Sequence, residues 1–418
     1  MRSSRLWLTF KESTSQVIEA SLIGYLFFLP WEHTAFIRDL LLAVGILTWG
    51  VERYILKKDR VFISKHLEKY ILFYVAAVLI SVFFSEAPIA SVRSFRSGLS
   101  KFLLIFALVV RVYQEPGSIR RLLYGLIGSS TLVTVYGLVG YLFHWRAAIE
   151  PGGLATGPFN HHNPLGQYLA LHIVVLLALF LWEQRNLFRL LWGILIPLHL
   201  ALLLFSQSRG ALVGVLIAGG VLFILQRQAR VIIAFSLILF TLGWGFNQDR
   251  LFNRFRTIAQ PETYETGIAS RDRIWSETLV WIGESPWIGH GYGGTPFSIM
   301  SRSRSRIEFD VPHTHNLFLQ VFFESGVLGL SAFVLLFFRI AWETFRLRHR
   351  SAIYPLLFSL FVLIFLLGMT EPFFLMGHLG IFLWILFGLV DTMQDHSFVG
   401  LGKGITVSPP FKILESDS

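Results

Sequence analysis

Long apolar blocks alternate with short polar connections along the chain from Val17 to Val390. A hydrocarbon layer of about 30 Å takes roughly 20 helical residues, with some slack for tilt. Twelve blocks approach that length: Val17–Pro30, Phe36–Val51, Tyr70–Phe84, Leu99–Val112, Leu122–Phe143, Gly166–Trp182, Leu187–Phe205, Ala211–Leu225, Val231–Phe246, Asn316–Phe338, Ile353–Met369 and Phe373–Val390. They predict twelve membrane-spanning helices, the first of them short and extended N-terminally by an interfacial helix. Trp, Tyr and Arg at the flanks suit interfacial anchoring. The first block has no small-residue cleavage site and eleven more follow, so a cleaved signal peptide is not expected.

One connection stands apart. Asn247–Thr314, between spans nine and ten, has 68 residues and is too long for a passive connector. Ser270–Gly283 reads as a helix within it: Ser270 as N-cap, Trp275, Leu279 and Ile282 at helical spacing, Ser285–Pro286 as the stop. The tail after Gly400 is rich in Gly, Pro and Ser and is expected to be a disordered cytoplasmic segment. There is no inter-domain linker and no internal repeat, so residues 1–418 are expected to form a single membrane domain carrying 247–314 as an inserted loop.

Composition narrows the class. Of 418 residues 54% are hydrophobic and 15% charged, where a soluble domain carries about 25% charged. Forty Phe, 12 Trp and 12 Tyr deepen the apolar excess and exclude a disordered, fibrous or ordinary cytosolic chain. Cysteine is absent, which removes disulfides, thiolate metal sites and cysteine nucleophiles. The net charge of +10 marks orientation, anionic lipid or an anionic substrate rather than nucleic acid. Of 36 Lys and Arg, 22 lie on the side of the termini, six in the opposite short loops and eight in the long loop. The termini are therefore expected to be cytoplasmic and the long loop outside, which in a Gram-negative cell is the periplasm.

Several polar residues sit where they are costly. Arg209 lies between two apolar spans in Phe205-Ser-Gln-Ser-Arg-Gly. An Arg at mid-membrane costs about 2.5–3.5 kcal/mol, so it should face a polar cavity or an anion, unless it snorkels to the interface. Gly210 beside it lets a ligand approach the backbone. His313-Thr-His315-Asn316 closes the long loop; with no acidic partner or third His at ligand spacing, a metal is not expected and a general base is. His315 is favoured over His313 because it opens a helix. Arg271 and Arg273 fall on the loop helix, as anion ligands or a solvated face. Arg302, Arg304 and Arg306 read as a solvated or headgroup-facing patch, and Gly289–Gly294 as a loop rather than a phosphate cradle. His162 and Asn163 open span six and either line the same cavity or cap the helix. Glu371, between spans eleven and twelve, is either a cavity carboxylate or a turn residue. Glu324, inside span ten, should face the bundle interior.

Together these residues resemble the O-antigen ligase family, which also holds O-antigen polymerases. His315-Asn316, nine residues, then Gly326-Val-Leu-Gly329 is similar to the His-Asn-x9-Gly-x-x-Gly signature of the ligases, with Leu330-Ser331 where some members have Thr-Gly. Ser-Arg-Gly at 208–210 resembles the family's Arg at the start of span eight. Ser270-Arg271 with Trp275, then Ser285-Pro-Trp-Ile-Gly-His-Gly291, resembles its loop helix and exit, which favours Arg271 over Arg273.

The resemblance implies an all-α polytopic membrane protein with a GT-C-like bundle in the bacterial inner membrane. It implies an inverting glycosyltransferase that moves a glycan from undecaprenyl pyrophosphate to a hydroxyl of lipid A–core, with no metal, nucleotide sugar or other cofactor. His315 would take the acceptor proton. Arg209 and Arg271 would hold the pyrophosphate, bidentate where Lys is not. Arg273, Asn316, His313, Asn163, His162 and Glu371 would line the substrate. The expected partners are the lipid-linked donor, the lipid A–core acceptor and membrane lipids, and the chain would act as a monomer. A polymerase or protein O-oligosaccharyltransferase of the same family remains open, as does a flippase, although matching Gly/Pro-broken halves are not evident.

Overall fold

The computed structural model describes residues 2–55, 64, 66–228, 268–304, 311–372 and 377–395. The expected ninth span, the stretch 247–267, Arg306 and the tail after Gly400 lie outside the described residues.

Every expected span within the described residues falls on a helix. In chain order these are α1 (Arg2–Phe28), α2 (Ala35–Ile55), α3 (Glu68–Phe83), a short α4 (Pro88–Ser97), α5 (Leu99–Val112), α6 (Pro116–Leu142), α7 (His162–Trp182), α8 (Asn186–Ser206) and α9 (Arg209–Leu225). After the undescribed stretch come α10 (Ile268–Glu284), α11 (Gly294–Arg304), α12 (Leu317–Arg346), α13 (Ile353–Gly368) and α14 (His378–Asp395). Among the described residues five helices can cross a membrane by length and composition: Glu32–Ile55, which includes a short lead-in turn, and α6, α7, α8 and α12. Helices α9, α13 and α14 are apolar but shorter. Among the described residues the fold is all-α apart from a short antiparallel hairpin on the α6–α7 connection, Glu150 paired with Leu154.

Helix α7 is the axis of the bundle: 83% of its apolar window is buried, so a sequence that looks lipid-facing is wrapped by protein. Helices α8, α9 and α13 pack around it. Gly166 makes the α7–α9 approach possible, since a Cβ there would overlap Ser208.

Two expectations are corrected. The loop helix is in place, but Ser270 lies inside α10 rather than capping it, and Leu279 is 55% exposed. Its inward face is Ile274, Thr278, Trp281 and Ile282. The tenth span, expected over Asn316–Phe338, lies on α12 (Leu317–Arg346), which is broken at Gly326, whose φ of 62° and ψ of −164° are not helical. Hydropathy continues through the break, so periodicity alone does not reveal it.

The backbone groups freed by the break are satisfied by the loop that follows α10. His290 and Gly291 donate to the carbonyls of Phe323 and Glu324 at 3.0 and 3.1 Å, and Val327 and Leu328 donate to Pro286 and Trp287 at 2.8 and 3.2 Å. Contact is so close that a Cβ on Gly326 would overlap the Trp287 backbone, and one on Gly289 the Glu324–Ser325 backbone. Ser81 adds a hydroxyl bond to the Glu324 carbonyl from α3. The loop after α10 is thus tied to α12 by backbone pairing. Glu324 itself is buried, as expected, and accepts from Gln320 at 2.9 Å.

Candidate active site

The segment 313–316 is pinned before α12 begins. Thr314 is fully buried; its N–H donates to the Gln320 side-chain carbonyl at 3.0 Å and its hydroxyl to the Asn316 carbonyl at 2.7 Å. Trp275 Nε1 on α10 donates to the Thr314 carbonyl at 2.9 Å. Asn316 caps α12, its side-chain oxygen accepting from Leu319 N–H at 3.0 Å. Between these anchors His315 is held at φ 52°, the left-handed region a non-glycine residue rarely adopts. The neighbours over-determine that conformation, as is common where side-chain placement is functional.

The His315 ring meets a buried carboxylate. Its Nδ1 lies 3.3 Å from Glu371 Oε2, with side-chain exposures of 31% and 4%. Glu371 stands on the connection after α13. Its other oxygen accepts from Asn163 Nδ2 at 3.3 Å and sits 4.0 Å from the Arg271 guanidinium. Asn163 Oδ1 in turn accepts from the Ser208 hydroxyl at 3.3 Å, one residue before Arg209. Gly210, on its other side, faces Thr370, the neighbour of Glu371. The starts of α7 and α9, the first turns of α10, the approach to α12 and the end of α13 therefore converge at one end of the bundle. Burial acts to raise the Glu371 carboxyl, but the hydrogen bond from His315 and the charges of His315, His313 and Arg271 outweigh it and hold the group below the usual carboxylate range. Burial pushes His313 down to about 4, with repulsion from His315 and Arg271 exceeding the pull of Glu371.

Chemically, a carboxylate accepting from Nδ1–H fixes the tautomer and leaves Nε2 of His315 with its lone pair for a proton. His313 accepts the His315 N–H at its own Nδ1, 3.4 Å away, and packs edge-to-face on it.

Other candidates lie elsewhere. Arg273 is exposed on the far side of α10. His162 pairs with Glu150 at 2.6 Å on the hairpin. Arg304 bridges Glu284 and Glu86 at 3.1 and 3.6 Å. Arg209 is half-buried at the first position of α9, with Ser208 and Gly210 built into the cluster on either side.

The expectation that no acidic group accompanies the histidines is corrected: Glu371 supplies one. Ligand atoms of His313, His315 and Glu371 lie within 4.8 Å of one another, as do those of Glu150, His161 and His162. In the first group the Arg271 guanidinium stands against the same carboxylate and competes with a cation. Sequence reasoning also missed Ser208 as the partner of Asn163, and Thr314 and Gln320 as the supports of His315. Only Gln320, four residues after the capping Asn316, carried a local signal.

Fold and cluster define the class: a multi-pass helical membrane protein with a His–Glu pair and arginine at one end of its bundle. Residues 194–334 match the family model described as O-antigen ligase, a segment holding Arg209, Arg271, His313, His315 and Gly326. An O-antigen ligase of Pseudomonas aeruginosa is 29% identical over 202 residues, 45% of this chain and 44% of that protein. An O-antigen ligase of Salmonella typhimurium is 26% identical over 198 residues, 44% of this chain and 47% of that protein. A Rickettsia typhi protein is 25% identical over 338 residues, 75% of this chain and 77% of that protein. The domain match and the two ligase relatives support the O-antigen ligase family for this chain. The chain spans less than half the length of those two ligases.

Proposed function

We propose that this protein is an inverting glycosyltransferase of the outer face of the bacterial inner membrane, both termini cytoplasmic and 247–314 periplasmic. It moves a glycan from undecaprenyl pyrophosphate to a hydroxyl of lipid A–core. The observation that carries the reading is the pairing of His315 Nδ1 with buried Glu371 at 3.3 Å, which readies the opposite nitrogen as a base.

In the proposed reaction the acceptor hydroxyl attacks the anomeric carbon as His315 Nε2 takes its proton. The new C–O bond forms while the anomeric C–O bond to phosphate breaks, and the pyrophosphate leaves with that electron pair. Attack opposite the leaving group inverts the centre. Glu371 stays ionised and stabilises the imidazolium, a positioning role. Arg271, whose guanidinium stands against Glu371, and Arg209 at the start of α9 take the charge that grows on the leaving phosphate. That supports a reaction needing no divalent cation.

The test is reconstitution of the purified chain in liposomes with a lipid-linked glycan and, separately, lipid A–core, a second lipid-linked repeat and a Ser/Thr peptide as acceptors, each with and without EDTA. Transfer to lipid A–core that survives EDTA and is lost in His315→Ala is expected. Transfer only to the second repeat would make the chain a polymerase, and transfer to none of the three would remove the reading.

A further inference from the structure

A cavity of about 580 Å³ opens at the same end of the bundle, on the other side of the segment that carries Asn163. Its walls come from the α1–α2 connection, the α4–α5 junction, the approach to α7, the loop before α11 and the start of α14. His161 and Pro164 line it, while Asn163 between them bonds to Glu371. The cavity and the His315–Glu371 cluster are two faces of one helix start.

Its chemistry differs from that of the cluster. Arg38 and Lys101 face the cavity together with Glu32 and Asp39, two cations against two carboxylates. Lys101 Nζ lies 2.9 Å from Asp39, and Arg38 donates to the Leu29 carbonyl at 3.1 Å, so both cations are held in place before any ligand arrives. Aromatic rings of Phe159 and Tyr292 share the lining. A phosphate or other anion would find no excess positive charge there. A sugar fits: each hydroxyl donates and accepts, so carboxylate, ammonium and guanidinium groups are all partners, and the C–H faces of the ring lie on aromatic surface. The volume falls within the roughly 300–1,000 Å³ that enclose a small ligand.

We propose that this cavity is a saccharide subsite for an uncharged oligosaccharide segment, separate from the cationic cluster where the pyrophosphate would lie. The inference rests on the glycosyl-transfer reading only in saying why a sugar comes there; the binding itself does not require catalysis. The sugars of the acceptor and of the donor share this chemistry, and the experiment separates them.

The purified full-length chain is titrated by calorimetry with two lipid-free probes, a dephosphorylated core oligosaccharide and a dephosphorylated glycan repeat. Asp39→Asn removes a charged hydrogen-bond partner, and Ser97→Trp, at an exposed position on the rim, fills the space. One probe is expected to bind the wild type with an affinity indifferent to added salt, and to weaken at least about tenfold in both variants. Its parent substrate should then show the same rise in KM with kcat altered less than threefold, which identifies the subsite as acceptor or donor. Binding of neither probe, equal binding in both variants, or binding only of phosphorylated probes with strong salt dependence overturns the proposal. Probe binding that behaves as expected in a chain that transfers nothing would sustain the subsite and remove the proposed reaction instead.

Discussion

At the residue scale the decisive contact joins positions 56 residues apart. His315 stands out in the sequence as a candidate base from its place before an apolar span; its contact with Glu371 does not. Glu371 sits in a connection of ordinary polarity, and nothing local shows that α13 ends beside the start of α12. The pairing yields a graded expectation. His315→Ala should lower kcat by about 10²–10⁴ with expression and insertion intact. Glu371→Gln keeps the size but loses the charge that fixes the tautomer, so its kcat should fall by about 10² or more while donor binding persists. Near-normal turnover of either purified variant would make the pair structural.

The arginines carry a second expectation at this scale. A guanidinium grips two phosphate oxygens and an ammonium does not. Arg209→Lys and Arg271→Lys should therefore impair donor binding and turnover almost as much as the alanine variants, leaving acceptor affinity little changed. A snorkelling Arg209 predicts a silent Lys substitution, because Lys snorkels as well. Measured donor affinity in the two Lys variants separates these.

Protonation is the third. With His313 held near 4 in the folded chain and near 6.5 when unfolded, the unfolded state binds more protons between those values, so stability falls as pH drops through that window. Glu371, depressed by its partners, acts in the same sense: its contribution is present above the unfolded carboxylate range and is lost as pH falls through the folded value. Melting temperature should fall from pH 6.5 to 4, and His313→Gln should remove the upper part of that slope. An unchanged slope would place the acid sensitivity elsewhere.

At the scale of elements, apolar length marks the long helices of the described bundle but not the polar α4 and α11, and α10 is read from spacing and a stop signal instead. Leu99–Val112 was read to the residue, and most other ends to within a few. Length could not show what interrupts a helix. The break at Gly326 and the clasp of residues 286–291 are set by backbone geometry, which hydropathy does not encode. Of the motif's glycines, Gly326 is explained by that joint, and Gly329 by its close approach to the Ser325 side chain one turn earlier. Gly326→Ala must place a Cβ inside the Trp287 backbone at positive φ, and should destabilise the chain by several kcal/mol or bar folding. Gly283→Ala, on α10 where a Cβ meets nothing within 4 Å, is the control and should leave the melting temperature close to wild type. Equal melting of the two variants would refute the clasp.

At the scale of the whole molecule the two ends of the bundle differ in what their charged residues surround. One end gathers the cluster and the cavity. The other is tied by ion pairs between helices: Arg121 with Glu19 at 2.7 Å, Arg111 with Glu52 and Arg120 with Glu183 at 3.4 Å. Such pairing neutralises much of the basic excess there, yet it does not weaken the orientation argument, because the rule counts Lys and Arg and is nearly blind to Asp and Glu. The proposed orientation puts the Arg121–Glu19, Arg111–Glu52 and Arg120–Glu183 pairs inward and His315 outward. A chain with no native cysteine makes this directly measurable. Ser276→Cys, exposed on α10, should react with a membrane-impermeant maleimide in cells whose outer membrane alone has been permeabilised. His349→Cys, exposed after α12, should react only once the inner membrane is broken. The reverse pattern would put the cluster in the cytoplasm, on the wrong side for a finished lipid-linked glycan, and the proposed reaction would fall with it.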